Sequence, residues 1–295
     1  MLKELKAISK ELLKTKRVDV ILAYKRASDG VSAMPCFIFE EKDIDKMILD
    51  SYCVYNLSNY IKDFPDKKIG IVAKACDIKS IIVLLQENQL KRADVVIMGI
   101  ECHGVIDEKR LCPGERPVQD IGFNEKCRSC KSPLPAFCDY LLKEEEERGK
   151  TGRASEGDGY ASIRKLEAKS PAERLKFWEE EFSRCIRCYA CRQVCPLCYC
   201  PKCVADQTDL AWFSRASNLK GNMSWNVVRA IHMAGRCVAC GECERACPVG
   251  IPLMELNKKI EKDVKELFGY EAGADAEQKP LFTCFDKKDP EDFVK

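Results

Sequence analysis

The chain has 295 residues, 46% of them hydrophobic, and its 49 lysines and arginines against 47 acids leave a formal charge of +2. That balance excludes a disordered chain, offers no global basic field for nucleic acid, and leaves room for two domains. Twenty cysteines mean either a disulfide scaffold or a metal protein; in a chain this long, with cysteines at metal-ligand spacing, they point to metal and a reducing compartment.

Leu2, Leu5, Ile8, Leu12 and Leu13 recur at helical spacing, which predicts an amphipathic helix over residues 2–15 with a lysine-rich outer face. This start holds no apolar signal core. The apolar runs at Ile81–Leu85 and Val95–Ile100 are too short to cross a bilayer, so a cytoplasmic protein without a transmembrane segment is expected. Runs of strand length fall at Val18–Tyr24, Cys36–Phe39, Lys68–Ala73 and Asp94–Ile100, with helical periodicity over Ile78–Leu90. Strand, helix and strand in that order predict an α/β domain over residues 1–145 with some parallel pairing. No Gly-x-Gly-x-x-Gly and no Walker loop follows a strand, so neither a Rossmann dinucleotide site nor a phosphate cradle is expected.

The strand ends carry cysteines. Cys76 follows one run, Cys102 another, and Cys127-Arg-Ser-Cys130 lies on a loop beyond. Loops at the carboxyl ends of strands are where α/β sheets place ligands. Cys76, Cys102, Cys127 and Cys130 are therefore candidates for one [4Fe-4S] cubane, with Cys112 as substitute. The alternative is that Cys76 and Cys102 are small core hydrophobes.

Ala75-Cys76-Asp77, then Gly99-Ile-Glu-Cys102-His103-Gly104, then Cys127-Arg-Ser-Cys130 resemble, over residues 18–140, the beta subunits of deazaflavin-coenzyme hydrogenases and dehydrogenases. The resemblance implies an iron–sulfur flavoprotein subunit that passes electrons between a deazaflavin coenzyme and a partner oxidoreductase, and it implies the third cluster at Cys76, Cys102, Cys127 and Cys130. The sequence departs from that family after Cys130, where Lys131–Tyr140 replaces a Gly-Asp-containing stretch. The domain also ends before a full flavin-binding half. Both departures count against FAD.

Residues 146–170 are polar and glycine-rich and read as a linker. Ser170-Pro171-Ala172-Glu173 sets an N-cap, a proline at N1 and a glutamate at N3, a capping box. The helix it opens puts Leu175, Trp178 and Phe182 on one face and delivers the chain into a dicluster domain over residues 171–269.

That domain holds one cysteine spacing twice: Cys185-Ile-Arg-Cys188-Tyr-Ala-Cys191-Arg-Gln-Val-Cys195-Pro196 and Cys237-Val-Ala-Cys240-Gly-Glu-Cys243-Glu-Arg-Ala-Cys247-Pro248. Each is the bacterial ferredoxin run, whose fourth cysteine ligates the other cluster in two-cluster ferredoxins. Cys185, Cys188, Cys191 and Cys247 are thus assigned to one cubane, and Cys237, Cys240, Cys243 and Cys195 to its neighbour. Paired cysteines also build zinc sites, which need only four ligands; two complete runs exceed that.

Between the runs, Cys198, Cys200 and Cys203 have no evident fourth partner, though His232 or a partner subunit could supply one. A further metal, packing and redox chemistry stay open for them. Ala211–Ala216 and Trp225–Met233 read as two short helices, with Trp212, Phe213 and Trp225 as core and cluster packing. Leu253, Leu256, Ile260, Val264 and Leu267 form an apolar stripe closed by Gly269 as C-cap, and residues 270–295 form a polar tail. The expected architecture is α+β or α/β: an N-terminal α/β domain and a C-terminal bacterial-ferredoxin-like dicluster domain with a helical insertion.

Only two histidines, His103 and His232, are present, and neither sits beside a nucleophile, so no acid–base constellation is complete. Substrate chemistry is expected on another subunit. The reading is an iron–sulfur electron-transfer subunit of an anaerobic, cytoplasmic oxidoreductase complex, since the ferredoxin half resembles subunits of hydrogenases, formate dehydrogenases and heterodisulfide reductases. The alternatives are a flavin-dependent enzyme acting on a deazaflavin or nicotinamide, and a zinc-stabilised binding module.

Overall fold

A computed structural model describes residues 1–107, 122–128, 130, 134–144, 159–207, 214 and 216–283. It divides into two compact units, Met1–Glu156 and Gly157–Lys295.

The first unit is built on a five-stranded sheet in the order β2-β1-β3-β4-β5, with β1 Val20–Arg26, β2 Ala33–Ile38, β3 Ile69–Ala73, β4 Val95–Ile100 and β5 Tyr140–Leu142. β2 runs antiparallel to β1, while β1, β3, β4 and β5 are parallel. β3 is buried along its whole length and β1 and β4 nearly so, which is why they read as unbroken Val/Ile runs rather than alternating ones. β2 starts earlier than its apolar run because an edge strand tolerates Pro35. Three-residue β5 is too short to announce itself by periodicity.

Helix α1, Leu2–Lys14, buries Leu5 and Leu12 and turns the Ser9 hydroxyl toward the Met98 sulfur at 3.6 Å. Helix α2 spans Ala75–Gln86 rather than Ile78–Leu90. Its start is fixed by Asp77 at N3, whose carboxylate accepts the Lys74 N–H at 2.7 Å, and this places Cys76 in the first turn. The short helix α3, Glu125–Arg128, follows β4.

In the second unit, α4, Ala161–Glu167, occupies part of the stretch expected as linker. The Glu167 carboxylate bridges Lys259 and Lys262, each at 2.8 Å, and ties α4 to α9, Leu253–Phe268. Helix α5, Pro171–Ser183, opens on the expected capping box: Glu173 accepts from the Ser170 N–H at 2.8 Å, and the Ser170 hydroxyl accepts from the Glu173 N–H at 3.3 Å. Two single turns, α6 Ala190–Gln193 and α8 Glu242–Arg245, lie inside the cysteine runs. Helix α7, Leu219–His232, begins six residues ahead of Trp225 because Asn218 caps it through the Gly221 N–H at 2.9 Å. Gly269 closes α9 with φ +62°, as a C-cap glycine does. Most of the helix expected over Ala211–Ala216, with Trp212 and Phe213, lies outside the described residues, as does Cys112.

Candidate metal centres

The two runs take one backbone path. Arg187 and Tyr189 flank Cys188 with φ +57° and +59°, and Ala239 and Gly241 flank Cys240 with φ +53° and +74°. Three of these four residues are not glycine, and left-handed backbone at such residues persists only where the surroundings dictate it. Alternating right- and left-handed peptides turn successive N–H groups into one concavity, the backbone nest found around phosphates and iron–sulfur groups.

The cysteines stand around two cavities. The first is walled by Cys185, Cys188, Cys191 and Cys247, together with Tyr189, Trp225 and Ile251. The second is walled by Cys195, Cys237, Cys240 and Cys243, together with Arg229, Met233 and Asn257. Each cavity thus takes three cysteines from one run and the fourth from the other. Among the described residues no three His, Cys, Asp or Glu side chains are close enough to hold a single ion. Four thiols spread around a cavity suit a group with four metal corners, not a tetrahedral zinc.

Donors reach the sulfurs from behind. The Ile251 N–H points to Cys247 Sγ at 3.4 Å, Asn257 Nδ2 to Cys243 Sγ at 3.4 Å, and Asn226 Nδ2 to Cys185 Sγ at 3.9 Å. Asn222, fully buried, donates to the carbonyls of Phe182 at 3.0 Å and Cys185 at 2.8 Å and so fixes where the first run begins. Outer contacts of this kind orient ligands and tune a metal. Burial pushes Cys243 up to about 12 and raises Cys191 and Cys237. These walls favour neutral thiols until a metal's charge displaces the protons. Cys195 is the exception: its hydrogen bond with Cys198 brings it down to about 6.

Each cavity also has a buried arginine. Arg187 donates to Gly221 O at 2.6 Å, Tyr189 Oη at 3.0 Å and Ser214 O at 3.0 Å, between the rings of Tyr189 and Trp225. Arg229 donates to Cys191 O at 2.9 Å, and among the described residues neither its Nε nor that of Arg187 has a partner. Burial works to lower Arg229, but the Cys195 and Cys243 sulfurs outweigh it and hold the guanidinium charged.

The insertion cysteines turn to different neighbours. Cys198 lies against Met233 Sδ at 3.9 Å and bonds to Cys195, Cys200 is exposed, and Cys203 bonds to Arg192. His232 is exposed at the end of α7.

In the first unit, Cys76, Cys102, Cys127 and Cys130 all lie beyond the carboxyl ends of β3 and β4. Cys76 and Cys102 interact electrostatically with each other and with Lys74. Cys127 accepts the Val105 N–H at 3.3 Å and packs with Val54 and Ile106, and the Cys130 N–H reaches Cys127 O at 3.3 Å. The sequence reading missed the buried network beside them. Lys74 Nζ donates to Tyr24 Oη and to Tyr55 O at 2.8 Å and pairs with Asp77 at 3.2 Å. Asp77 also accepts the Leu57 N–H at 3.0 Å. Burial pushes Asp77 up, while the Lys74 ammonium and the Lys74 backbone N–H oppose it. The clue in sequence was Lys-Ala-Cys-Asp directly after an apolar strand run.

Residues 181–251 match the family model described as a 4Fe-4S dicluster domain, so the C-terminal unit carries an iron–sulfur domain rather than a zinc scaffold. Along nearly its whole length the chain is similar to two curated proteins. One is the F420-dependent formate dehydrogenase subunit beta of Methanocaldococcus jannaschii, 25% identical over 94% of this chain and 93% of the relative. Another is the F420-dependent formate dehydrogenase 1 subunit beta of Methanococcus maripaludis, 26% identical over 93% of this chain and 91% of the relative. Among the described residues no helix is long and apolar enough to cross a membrane.

Proposed function

We propose that this chain is an iron–sulfur electron-transfer subunit that relays single electrons through [4Fe-4S] clusters between partner subunits of a formate-dehydrogenase-like oxidoreductase complex in the cytoplasm. The observation that carries the reading is the sorting of eight run cysteines into two cavities, three from one run and one from the other in each. Cys185, Cys188, Cys191 and Cys247 hold one cubane, and Cys195, Cys237, Cys240 and Cys243 hold the second. Each, when bound, takes up and gives back one electron. The chain supplies the wall: thiolates, N–H and amide donors on the sulfurs, apolar side chains that limit water, and two buried cations. Cys76, Cys102, Cys127 and Cys130 are assigned to a third cluster, in keeping with their shared sheet edge and the buried Lys74 beside two of them.

The test is anaerobic purification of the full chain with its co-purifying subunits, then iron and sulfide analysis and electron paramagnetic resonance (EPR). At least about eight irons per chain are expected, as two cubanes require. Cys185→Ser and Cys247→Ser should remove the same signal, and Cys237→Ser and Cys195→Ser the other. If Cys247→Ser and Cys237→Ser removed the same signal, the crossed assignment would fail. An iron count unchanged by Cys76→Ala would remove the third site.

The relatives' names support a second reading, in which the subunit itself exchanges electrons with a deazaflavin coenzyme by way of a flavin. A flavin absorption band and turnover by the isolated chain would establish it; an iron–sulfur spectrum alone would dismiss it.

A further inference from the structure

We infer that Arg229 is a positioning residue that ranks the two centres, making the cluster held by Cys195, Cys237, Cys240 and Cys243 the first to take an electron. The inference rests on the reading that both cavities hold cubanes.

Arg229 lies on the buried face of α7 with 6% of its surface exposed, and it lines the second cavity. Among the described residues its side chain makes one hydrogen bond, back to the first run, to Cys191 O at 2.9 Å, and its Nε has no partner. The ionisable groups facing it are sulfurs, those of Cys195, Cys243, Cys198 and Cys191. The acid on the same cavity, Glu242, is paired with Arg245 instead, at 2.9 Å. A cluster with thiolate ligands becomes more negative on reduction, and an uncompensated cation on its wall in low dielectric favours that state. Asn257 on Cys243, at 3.4 Å, acts in the same direction.

The first cavity differs in its cation, not in its donors. The Nη groups of Arg187 are committed to Gly221 O, Tyr189 Oη and Ser214 O, leaving only its Nε without a partner among the described residues, so it braces the loop. The Ile251 N–H on Cys247 at 3.4 Å matches Asn257 on Cys243. Exposure of Cys188 gives the first cluster some hydration, which also favours its reduced form. With the donors to sulfur matched at 3.4 Å, the less committed full charge on the second cavity's wall outweighs partial hydration of one ligand.

The experiment is an EPR-monitored redox titration of the full anaerobic protein, with each signal assigned by loss in Cys185→Ser or Cys237→Ser. In Arg229→Met the midpoint of the second-run cluster should move to more negative potential by at least about 59 mV, a tenfold change in a one-electron equilibrium, and the first-run cluster should move less. Full iron content with both midpoints unchanged, or a larger shift at the first-run cluster, would overturn the inference. Fewer than eight irons in the unaltered protein would instead overturn the reading beneath it. Should Arg229→Met load iron poorly, Arg229→Lys is expected to stay near the original midpoint while Arg229→Gln shifts; equal midpoints in those two would overturn the inference.

Discussion

Replacing Asn222 with alanine tests whether the first cavity is held by the helix behind it. The substitution deletes the donor to Phe182 O at 3.0 Å and to Cys185 O at 2.8 Å, in a residue with no solvent exposure. Cys185 O, left without a donor, costs about 1–3 kcal/mol, and Phe182 O, which keeps the Cys185 N–H at 3.1 Å, loses a second bond worth about 0.5–1.5 kcal/mol. Against this, Asn222 Oδ1 has no partner in the intact protein, and removing it recovers about 1 kcal/mol. The net is about 0.5–3.5 kcal/mol, concentrated on the backbone that presents Cys185. At about 1.4 kcal/mol per factor of ten, local opening there becomes about 2- to 300-fold more frequent, and iron should leave through that opening. The assay is anaerobic iron release to a chromogenic chelator, with EPR reporting which signal decays. Cys185 belongs to the first cavity, so its signal should vanish first and fast. Release at the unaltered rate, or earlier loss of the second-run signal, would refute the reasoning.

Asp77→Ala leaves Lys74 as a buried cation without its counter-ion, so stability should fall by about 3–5 kcal/mol; an unchanged denaturation midpoint in the sheet's circular dichroism would contradict this. Burial lifts the Cys36 and Cys53 thiols to about 11 and about 12 from an ordinary 9.0. Iodoacetamide at pH 8 should therefore label exposed Cys200 and spare both, as peptide mass spectrometry can read. Since the folded state keeps those protons longer, their contribution to stability is intact below pH 9 and fades as pH rises toward 12. A melting temperature flat across that interval would argue against it. In Gly221→Ala the new Cβ would lie 2.8 Å from Ala216 O and 3.3 Å from Asn218 Oδ1, so the start of α7 must shift at a cost of about 1–3 kcal/mol. Gly221 O also anchors Arg187, so the first-run signal should be the one that broadens; unaltered stability and signal would disprove the contact.

The cysteine runs, the capping box at Ser170 and the Gly269 cap were legible in the sequence because each is a local rule at fixed spacing. The strands β1, β3 and β4 were legible because parallel buried strands are apolar throughout. What surrounds the metal sites was not. Asn222, Asn226 and Arg229 sit on the buried face of α7, at helical spacing, among Gly221, Trp225 and Ala230. A polar stripe on a face that the apolar residues mark as buried was the available signal, and it was lost because the helix was read as starting at Trp225. The Lys74–Asp77 pair escaped for a different reason: charges on either side of Ala75-Cys76 look solvated until the tertiary fold closes over them. Cys198 follows Cys195 at Cys-x2-Cys spacing, and a local turn with the Cys198 N–H on Cys195 O at 3.2 Å holds the two together; the signal was masked because Cys195 already closes the first run.

Because each cavity borrows one wall from the opposite run, neither container exists on the growing polypeptide until the second run has emerged: the one that uses Cys195 closes with Cys243, and the one that uses Cys185 closes with Cys247. A product truncated between the runs would have nowhere to keep its inorganic cargo. Cellular delivery of iron and sulfide must therefore wait for the later run.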